Sequence, residues 1–195
     1  MFSEGKRKLL HIFYGCFFIV LLWLYPVFAP WFFLGLSVLG LFLSVLQKTF
    51  RFKTLEMILA PFERPENIKE FPGKGPLFFS LGSMFAAFLF SKDIALASIA
   101  ILTFGDSISH LVGSYILHKQ KKISRLKKAI EGTLIGIIAA WLSASLFVDP
   151  FLAIITAFIV MVAEFLEEIF IGVDDNLYVP LLAGLILMVL QRFLF

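Results

Sequence analysis

The chain has 195 residues, of which 60% are hydrophobic and 16% are charged, and its formal net charge is +3. Its mean hydropathy is +0.95. A water-soluble domain is typically about half apolar, so this chain has too few polar residues to cover a core in water. These values exclude an ordinary soluble protein. They indicate an all-α fold, a polytopic bundle of transmembrane helices.

Seven apolar segments follow one another along the chain, several of them close to the roughly 20 residues that a transmembrane helix requires. They are residues 9–25, 31–46, 77–90, 94–117, 130–147, 151–171 and 178–195. The first resembles a signal peptide, but it ends at Pro26 without a small-residue cleavage site, so we interpret it as a retained span. Residues 1–195 are therefore predicted to form a single integral membrane domain of about seven spans.

Basic residues concentrate in three connections, namely the segment before the first span, residues 47–76 and residues 118–129. With seven spans these connections lie on one side of the membrane, which the positive-inside rule makes cytoplasmic. The N-terminus is then cytoplasmic too. Because the basic residues lie beside apolar spans, nucleic acid is the weakest partner for this charge. Apolar residues within 47–76 also predict a short amphipathic helix on the membrane surface, closed by Pro61.

The fourth span contains an intramembrane carboxylate, Asp106, within the stretch from Gly105 to Gly113. A carboxylate at the centre of a span costs about 2.5–3.5 kcal/mol on insertion scales, so its presence favours a functional role. On an α-helix Asp106, Ser109, His110 and Gly113 share one face. The alternative is that Asp106 and His110 pair only to hold helices together.

The basic loop of residues 118–129 runs directly into the fifth span. Most of its cations are interpreted as topological anchors, while Lys127 and Lys128 are candidates for neutralising phosphate. Glu131 follows at the predicted start of the span. It is either a carboxylate that interacts with the helix dipole or a metal ligand, and both interpretations stay open.

An acidic cluster, Asp174-Asp175-Asn176, precedes the last span. It is either a plain turn or a set of hard oxygen ligands for Mg²⁺, which prefers one or two carboxylates together with substrate phosphates. The topology puts the cluster on the cytoplasmic side with the basic loop. Asp106 reaches the same site if it lies toward that side, or if Gly105 breaks the fourth span.

Three further features carry polar groups. In the sixth span Glu164, Glu167 and Glu168 share a face; the last two are expected at the surface, whereas Glu164 lies deeper and needs a partner. Residues 71–76, with Lys74, form either a linker or a lid whose backbone approaches phosphate. His11 is either an interfacial histidine or a functional one. The sequence contains no Walker A loop, no G-x-G-x-x-G and no Cys/His zinc pattern.

Together these motifs resemble the membrane family of CTP-dependent lipid-alcohol kinases, which includes dolichol kinase, phytol kinase and a diacylglycerol kinase. This family belongs to a broader group with phosphatidate cytidylyltransferase. Four motifs spread over nearly the whole chain carry the resemblance. They are Arg7-Lys8 with His11, Gly105-Asp106-Ser107 through Gly113, Lys128-Ala129-Ile130-Glu131-Gly132-Thr133, and Asp174-Asp175-Asn176-Leu177 before Pro180.

The resemblance implies Mg²⁺-dependent transfer of the terminal phosphate of CTP to a long-chain isoprenoid or related lipid alcohol. The metal ligands that it implies are Asp106, Glu131, Asp174 and Asp175. The nucleotide-binding residues that it implies are Lys74, Lys127, Lys128, Gly132, Thr133 and Asn176. The catalytic residues that it implies are His11, Asp106, Lys128 and Glu131. His110 departs from the pattern, because a small residue is expected there, and the chain is nearer in size to phytol kinase than to dolichol kinase.

Three rival functions remain open at this point. A cytidylyltransferase of the broader group releases pyrophosphate instead of CDP. A small proton- or ion-coupled transporter uses Asp106 and Glu164 as ion sites, and a membrane scaffold uses Asp106 only for stability. The expected partners of the kinase are a nucleotide, a lipid alcohol and membrane lipids, in the cytoplasmic membrane of a prokaryote or in the endoplasmic reticulum or a plastid. The sequence leaves the oligomeric state and the choice between CTP and ATP open.

Overall fold

The computed structural model describes residues 4–63, 65–119, 125–170 and 174–194, and within these ranges the regular structure is helical without β-strands. The predicted all-α fold is confirmed for this part of the chain. The α-helices are α1 (Glu4–Leu24), α2 (Ala29–Phe50), α3 (Lys53–Leu59), α4 (Pro65–Glu70), α5 (Lys74–Leu89), α6 (Lys92–Ala100), α7 (Ser107–Lys119), α8 (Arg125–Ala144), α9 (Pro150–Phe170) and α10 (Asp175–Leu194). A π-helical segment, Ile101–Asp106, joins α6 to α7 without a break.

Six of the seven predicted spans fall largely within one of these helices, and the fourth, residues 94–117, runs through α6, the π-helical segment and α7. Within the described residues, four helices are long and apolar enough to cross a membrane, and they are Glu4–Leu24, Ala29–Phe50, Lys92–Tyr115 and Asp175–Phe193. Shorter apolar helices cover Lys74–Leu89, Ala129–Ala144 and Pro150–Leu166. The first of these has 16 residues and rises about 24 Å at about 1.5 Å per residue, which is less than the roughly 30 Å of a bilayer core.

Large apolar side chains cover the outside of the bundle. Phe13 is 70% exposed, and many other phenylalanine, leucine and valine side chains are at least half exposed. Contiguous apolar surface of this extent is rare on soluble monomers, and in a membrane protein lipid covers it. The exposed surface therefore agrees with the composition in indicating a membrane protein.

The centre of the bundle is α6 with the π-helical segment. Every residue from 94 to 107 is buried except Phe104, which is partly buried. These two elements contact α1, α8 and α10, so the chain surrounds them on several sides. Asp106 is the last residue of the π-helical segment and is therefore carried into the interior.

Close helix packing explains where the helix widens. A Cβ added to Gly105 would lie 2.8 Å from Met161 Sδ and 3.0 Å from Ala140 Cβ, so α8 and α9 approach the backbone here. The fourth span is not broken at Gly105. It accommodates the approach as a wider π-helical turn, a feature frequent at functional sites.

The connection between α2 and α5 contains two short helices. The first, α3, ends at Leu59, before Pro61, as expected for the predicted surface helix. Its Met57 and Ile58 side chains are exposed, in agreement with an amphipathic helix. After α4 the chain turns at Gly73, whose φ of 78° lies in the left-handed region that glycine adopts readily, and α5 begins.

Candidate active site

A buried ion pair lies at the centre of the site. Asp106 is fully buried, and the ammonium of Lys8 donates hydrogen bonds of 2.6 and 2.7 Å to its two carboxylate oxygens. Lys8 is itself only 1% exposed, and the two residues are 98 positions apart. A buried charge is tolerated when an opposite charge and hydrogen bonds compensate it, and Lys8 supplies both. The charge pattern of the sequence groups Lys8 with the topological cations, and the resemblance names it within the Arg7-Lys8 motif without giving it a role.

Two imidazoles flank this carboxylate. His11 Nε2 lies 3.6 Å from Asp106 Oδ2, and the ring contacts Phe79 edge-on with 4.8 Å between centroids. The side chain of His11 is only 10% exposed, so it is largely enclosed by the protein, and its level in the membrane stays a prediction. His110 Nε2 lies 3.3 Å from Asp106 Oδ1 and 3.9 Å from Glu164 Oε1. Glu164 thus has the partner that its depth requires, while the side chains of residues 167 and 168 lie outside those described.

The backbone of α7 at Ser109 and Gly113 lies against Gly132 of α8. A Cβ added to Gly132 would lie 2.7 Å from Ser109 O and 3.5 Å from Gly113 Cα, so Gly132 permits α7 and α8 to pack closely. The Thr133 hydroxyl donates a 2.9 Å hydrogen bond to Ala129 O within its own helix. Gly132 and Thr133 are both predicted to bind the nucleotide. In the structure Gly132 serves helix packing and Thr133 makes a hydrogen bond within α8.

Glu131 lies in the second turn of α8, because the helix begins at Arg125 and not near residue 130. Its interpretation as a carboxylate in the first turn of a helix is therefore wrong, since the first turn of α8 holds no acidic residue. Glu131 is partly buried. Lys127 and Lys128 belong to the first turn of α8, but their side chains lie outside the described residues, so their predicted contacts with phosphate stay predictions.

The acidic cluster begins α10 and is held together by one asparagine. The side-chain amide of Asn176 donates hydrogen bonds to Asp174 Oδ1 at 2.8 Å and to Asp175 Oδ1 at 2.9 Å. Its backbone N–H donates to the same two oxygens at 3.2 and 2.8 Å. Lys74 Nζ lies 3.4 Å from Asp174 Oδ2. Burial is the main cause that raises the pKa of Asp174, and the negative charge of Asp175 is the second. The hydrogen bond from Asn176 and the positive charge of Lys74 oppose this rise.

The buried pair of Lys8 and Asp106 lies close to the acidic cluster of residues 174–176. One ligand atom each from Asp106, His110 and Asp175 lie within 4.8 Å of one another. Two carboxylates and an imidazole fit a divalent cation, with Mg²⁺ favoured by the oxygens and Mn²⁺ also compatible with the imidazole. Among the described residues neither Glu131 nor Asp174 belongs to this group. The structure thus brings two of the four predicted metal ligands together and adds His110.

A cavity of about 260 Å³ lies beside this group. Polar and apolar side chains both line it, and α1, the α3–α4 connection, α5 and α10 all contribute to it. The polar lining residues are Arg7, His11, Glu63, Asn67 and Asn176. Nothing in the sequence distinguishes Glu63 from the other charged residues of its loop, and only its burial sets it apart.

Comparisons with known proteins find two partial relatives. Over 119 residues the chain is 32% identical to an uncharacterized protein of Methanocaldococcus jannaschii, covering 59% of this chain and 58% of that protein. Over 77 residues it is 35% identical to CTP-dependent diacylglycerol kinase 1 of Eremothecium gossypii, covering 40% of this chain and 24% of that kinase. The matches thus span less than two thirds of either relative. No family model and no solved structure matches the chain.

Proposed function

We propose that the protein is a membrane-embedded kinase that transfers the terminal phosphate of CTP to the hydroxyl of a long-chain isoprenoid or related lipid alcohol. The similarity to part of a CTP-dependent diacylglycerol kinase supports a lipid kinase. The observation that carries the proposal is the meeting of Asp106, His110 and Asp175 beside a cavity with both polar and apolar walls. A site for phosphate, a cation and a lipid headgroup needs these elements together.

The proposed topology has seven spans, an N-terminus in the cytoplasm and a site that opens to the cytoplasm. Its support is the distribution of lysine and arginine over three connections on one side. The three shorter helices complete the count of spans by packing against the four long ones. In a prokaryote this places the protein in the cytoplasmic membrane.

Phosphoryl transfer depends mainly on positioning the reactants and neutralising phosphate charge. In the proposed reaction the alcohol oxygen bonds to the terminal phosphorus of CTP, the bond from that phosphorus to its bridging oxygen breaks, CDP leaves and the hydroxyl proton is released. Lys74 already lies at the acidic cluster, and Lys127 and Lys128 are the proposed further contacts of the phosphates. Gly132 and Thr133 are proposed to border the nucleotide from α8.

The proposed ligands of Mg²⁺ are Asp175 and Asp174, with Asp106 as a further carboxylate, and Glu131 is proposed to act on the cation through a group that binds it. When bound, the cation would supply charge neutralisation to the phosphates. One observation besides the clustered carboxylates supports a ligand here. The side-chain oxygen of Asn176 is buried and has no hydrogen-bond partner among the described residues, although its amide nitrogen donates hydrogen bonds to both aspartates. This oxygen is free to accept a hydrogen bond from the nucleotide or to reach a cation.

Asp106 has a defined task in this proposal, since it holds the Lys8 ammonium and the imidazoles of His11 and His110 on one side of the site. Each of its two oxygens accepts one hydrogen bond from Lys8 and keeps a lone pair for a further donor such as an alcohol. That Asp106 orients or deprotonates the alcohol stays a prediction.

The test is a transfer assay on the purified protein in mild detergent, with Mg²⁺ and terminally labelled CTP or ATP. The acceptors are phytol, geranylgeraniol, a polyprenol and diacylglycerol. Label entering a lipid with release of CDP, and lost in a folded Asp106→Asn variant, supports the kinase. Release of pyrophosphate with phosphatidate would instead identify a cytidylyltransferase. Absence of both products with either nucleotide would reject the two enzymes and leave transport to be measured in vesicles.

A further inference from the structure

Three buried polar atoms without hydrogen-bond partners belong to residues that line the same cavity. They are Glu63 Oε1, His11 Nε2 and Asn176 Oδ1. Buried polar groups are satisfied in more than about 90% of cases, so three such atoms around one cavity indicate a ligand with hydrogen-bonding groups. His11 and Asn176 already belong to the site described above. Glu63 lines the same cavity, but the proposed reaction gives it no role.

The structure fixes one oxygen of Glu63 and leaves the other available. Glu63 is only 4% exposed, and its Oε2 accepts a 2.7 Å hydrogen bond from the backbone N–H of Gly73. Gly73 takes its left-handed φ at this turn, which leads into Lys74 and its contact with Asp174. Burial raises the pKa of Glu63, and the backbone N–H groups of residues 73–75 oppose the rise. Residues 73–76 thus connect Glu63 with the acidic cluster and the cavity. Gly73 donates to Glu63, and the next residue, Lys74, lies near Asp174. Gly75 and Pro76 line the cavity.

Part of the cavity wall is apolar and also belongs to the outer surface of the protein. Tyr14, Ile58 and Phe62 line the cavity, and they are also 37%, 60% and 38% exposed. On a membrane protein this surface faces lipid. The volume of about 260 Å³ lies just below the roughly 300–1,000 Å³ of pockets that enclose a whole drug-sized ligand. The cavity therefore has room for a headgroup and the first carbons of a chain, whose remainder continues into the bilayer.

We propose that this cavity binds the hydroxyl end of the neutral lipid alcohol, with the hydroxyl donating a hydrogen bond to Glu63 Oε1 and the tail leaving past Tyr14, Ile58 and Phe62. The inference rests on the proposed kinase function and names its acceptor site. A carboxylate oxygen accepts a hydrogen bond from an alcohol, whereas it repels the phosphate of an anionic lipid. Glu63 thus favours an uncharged alcohol over phosphatidate as the lipid substrate.

The sharpest test fills the cavity without disturbing the fold. Gly75 lines the cavity, and a Cβ added to it meets no heavy atom within 4 Å. It lies in α5, where alanine or leucine is favoured over glycine. We expect Gly75→Leu to keep the unfolding temperature of the parent protein and to raise the KM for the alcohol about tenfold or more, which is the effect of losing most of a buried chain contact. The KM for CTP should change by less than about twofold, since the proposed phosphate contacts Lys74, Lys127 and Lys128 are not among the described residues that line the cavity.

Two variants accompany this one. Gly35→Leu is the matched control, since a Cβ there also meets nothing within 4 Å and Gly35 is exposed on α2, away from the cavity. Gly75→Ala replaces Gly75→Leu if the larger side chain impairs folding, with a smaller rise in the same KM expected.

The second substitution tests the carboxylate itself. Glu63→Gln keeps an oxygen for the Gly73 N–H but removes the charge, and a hydrogen bond to a charged group is roughly twice as strong as a neutral one. We expect the KM for the alcohol to rise about fivefold or more, with the KM for CTP and the unfolding temperature unchanged. Glu66→Gln, at an exposed glutamate of α4 outside the cavity, is the control. A purely structural role for Glu63 would lower the unfolding temperature instead of separating the two KM values.

A photolabelling experiment separates failure of this inference from failure of the proposed function. The probe is a long-chain alcohol with a diazirine near its hydroxyl, competed by geranylgeraniol. Labelling of Tyr14 or of residues 58–62, lost in Gly75→Leu, would support the acceptor site even if no phosphate were transferred. Labelling elsewhere in the protein would overturn it. If the parent protein phosphorylates alcohols while Gly75→Leu and Glu63→Gln both keep its KM values, the kinase stands and the acceptor site is rejected.

Discussion

The two ends of the site handle negative charge in opposite ways. At the buried end, Asp106 has an ammonium on both oxygens and two imidazoles within 3.6 Å. At the α10 end, Asp174 and Asp175 share the amide of one asparagine, and Lys74 is the cation 3.4 Å from Asp174. The buried end is therefore close to charge balance, whereas the α10 end retains negative charge.

This difference in charge gives the two ends different expected roles. The buried end stabilises the fold, and the α10 end binds a cation. A buried carboxylate that already has its counter-ion gains little from a further cation, and losing that counter-ion is costly. Two adjacent carboxylates near a helix N-terminus repel one another, and an added divalent cation relieves that repulsion. We therefore expect substitutions at Lys8 and Asp106 to change stability most, and substitutions at Asp174 and Asp175 to change cation dependence most.

The largest effect is expected from Lys8→Met. The variant leaves Asp106 buried without its main counter-ion, and breaking such a pair costs about 3–5 kcal/mol of stability. Thermal unfolding in detergent measures the loss, and Lys6→Met, at an exposed lysine of the same helix, is the matched control. The double variant Lys8→Met with Asp106→Asn should recover most of the stability, because it removes both charges. If Lys8→Met proved as stable as the parent protein, the two imidazoles would be compensating Asp106 and the buried end would not depend on Lys8.

Asp175→Asn is expected to act on cation dependence instead. The Mg²⁺ concentration for half-maximal activity should rise at least about 10–100-fold, the effect typical of removing a group that orients a metal ligand. Stability should stay the same or increase slightly, because one of two adjacent like charges is gone. Asp93→Asn, at an exposed aspartate in the first turn of α6, controls for a general change in surface charge. An unchanged Mg²⁺ requirement would break the comparison by placing the cation elsewhere.

The sequence predicts the helices well, because their apolar runs are long and turns of proline, glycine or charged residues separate them. It does not predict the π-helical segment or the start of α8. The wider turn at Ile101–Asp106 depends on Ala140 and Met161 approaching Gly105 from two other helices, which local sequence does not encode. The sequence does not predict the start of α8 at Arg125, because the six lysine and arginine residues among residues 118–129 indicate a polar connection.

The candidate site is predictable only where a residue is unusual for its surroundings. Asp106 and Glu164 stand out as carboxylates within apolar spans. Lys8 does not, because a cation at the start of a span is the ordinary topological signal, and its pairing with Asp106 crosses 98 positions. Glu63 is likewise one charged residue among several in a polar loop. The part of the site that sequence misses is the part that depends on long-range pairing and burial.

A smaller effect is expected from Glu131→Gln, which tests how far the site extends onto α8. Glu131 lies outside the group formed by Asp106, His110 and Asp175. We expect activity to fall by about tenfold at saturating Mg²⁺, the lower end of the range for groups that act through a ligand. Glu56→Gln, at an exposed glutamate of α3, is the control. A loss of a thousandfold or more would place Glu131 directly on the cation and would make α8 a third side of the site.

The smallest effect is expected from pH. Because the pKa of Asp174 is raised above its ordinary value, the folded protein holds this proton more tightly than the unfolded chain. Its contribution to stability is therefore fully present below the unfolded pKa of about 3.9 and is lost as pH rises through the higher folded pKa. Mg²⁺ binds the ionised form, so its stabilising effect should grow over the same interval, by less than about 1.4 kcal/mol per pH unit.

Thermal unfolding at a series of pH values, with and without Mg²⁺, measures this dependence. Glu63 also has a raised pKa and contributes with the same sign, so the share of Asp174 is the difference between the parent protein and Asp174→Asn. In that variant the loss of stability with rising pH should shrink, and Mg²⁺ binding should release fewer protons to the buffer. Equal pH dependence in both proteins would mean that Lys74 and Asn176 fully offset the rise in the pKa of Asp174. The α10 end would then resemble the buried end, and the division between a stabilising and a binding half of the site would fail.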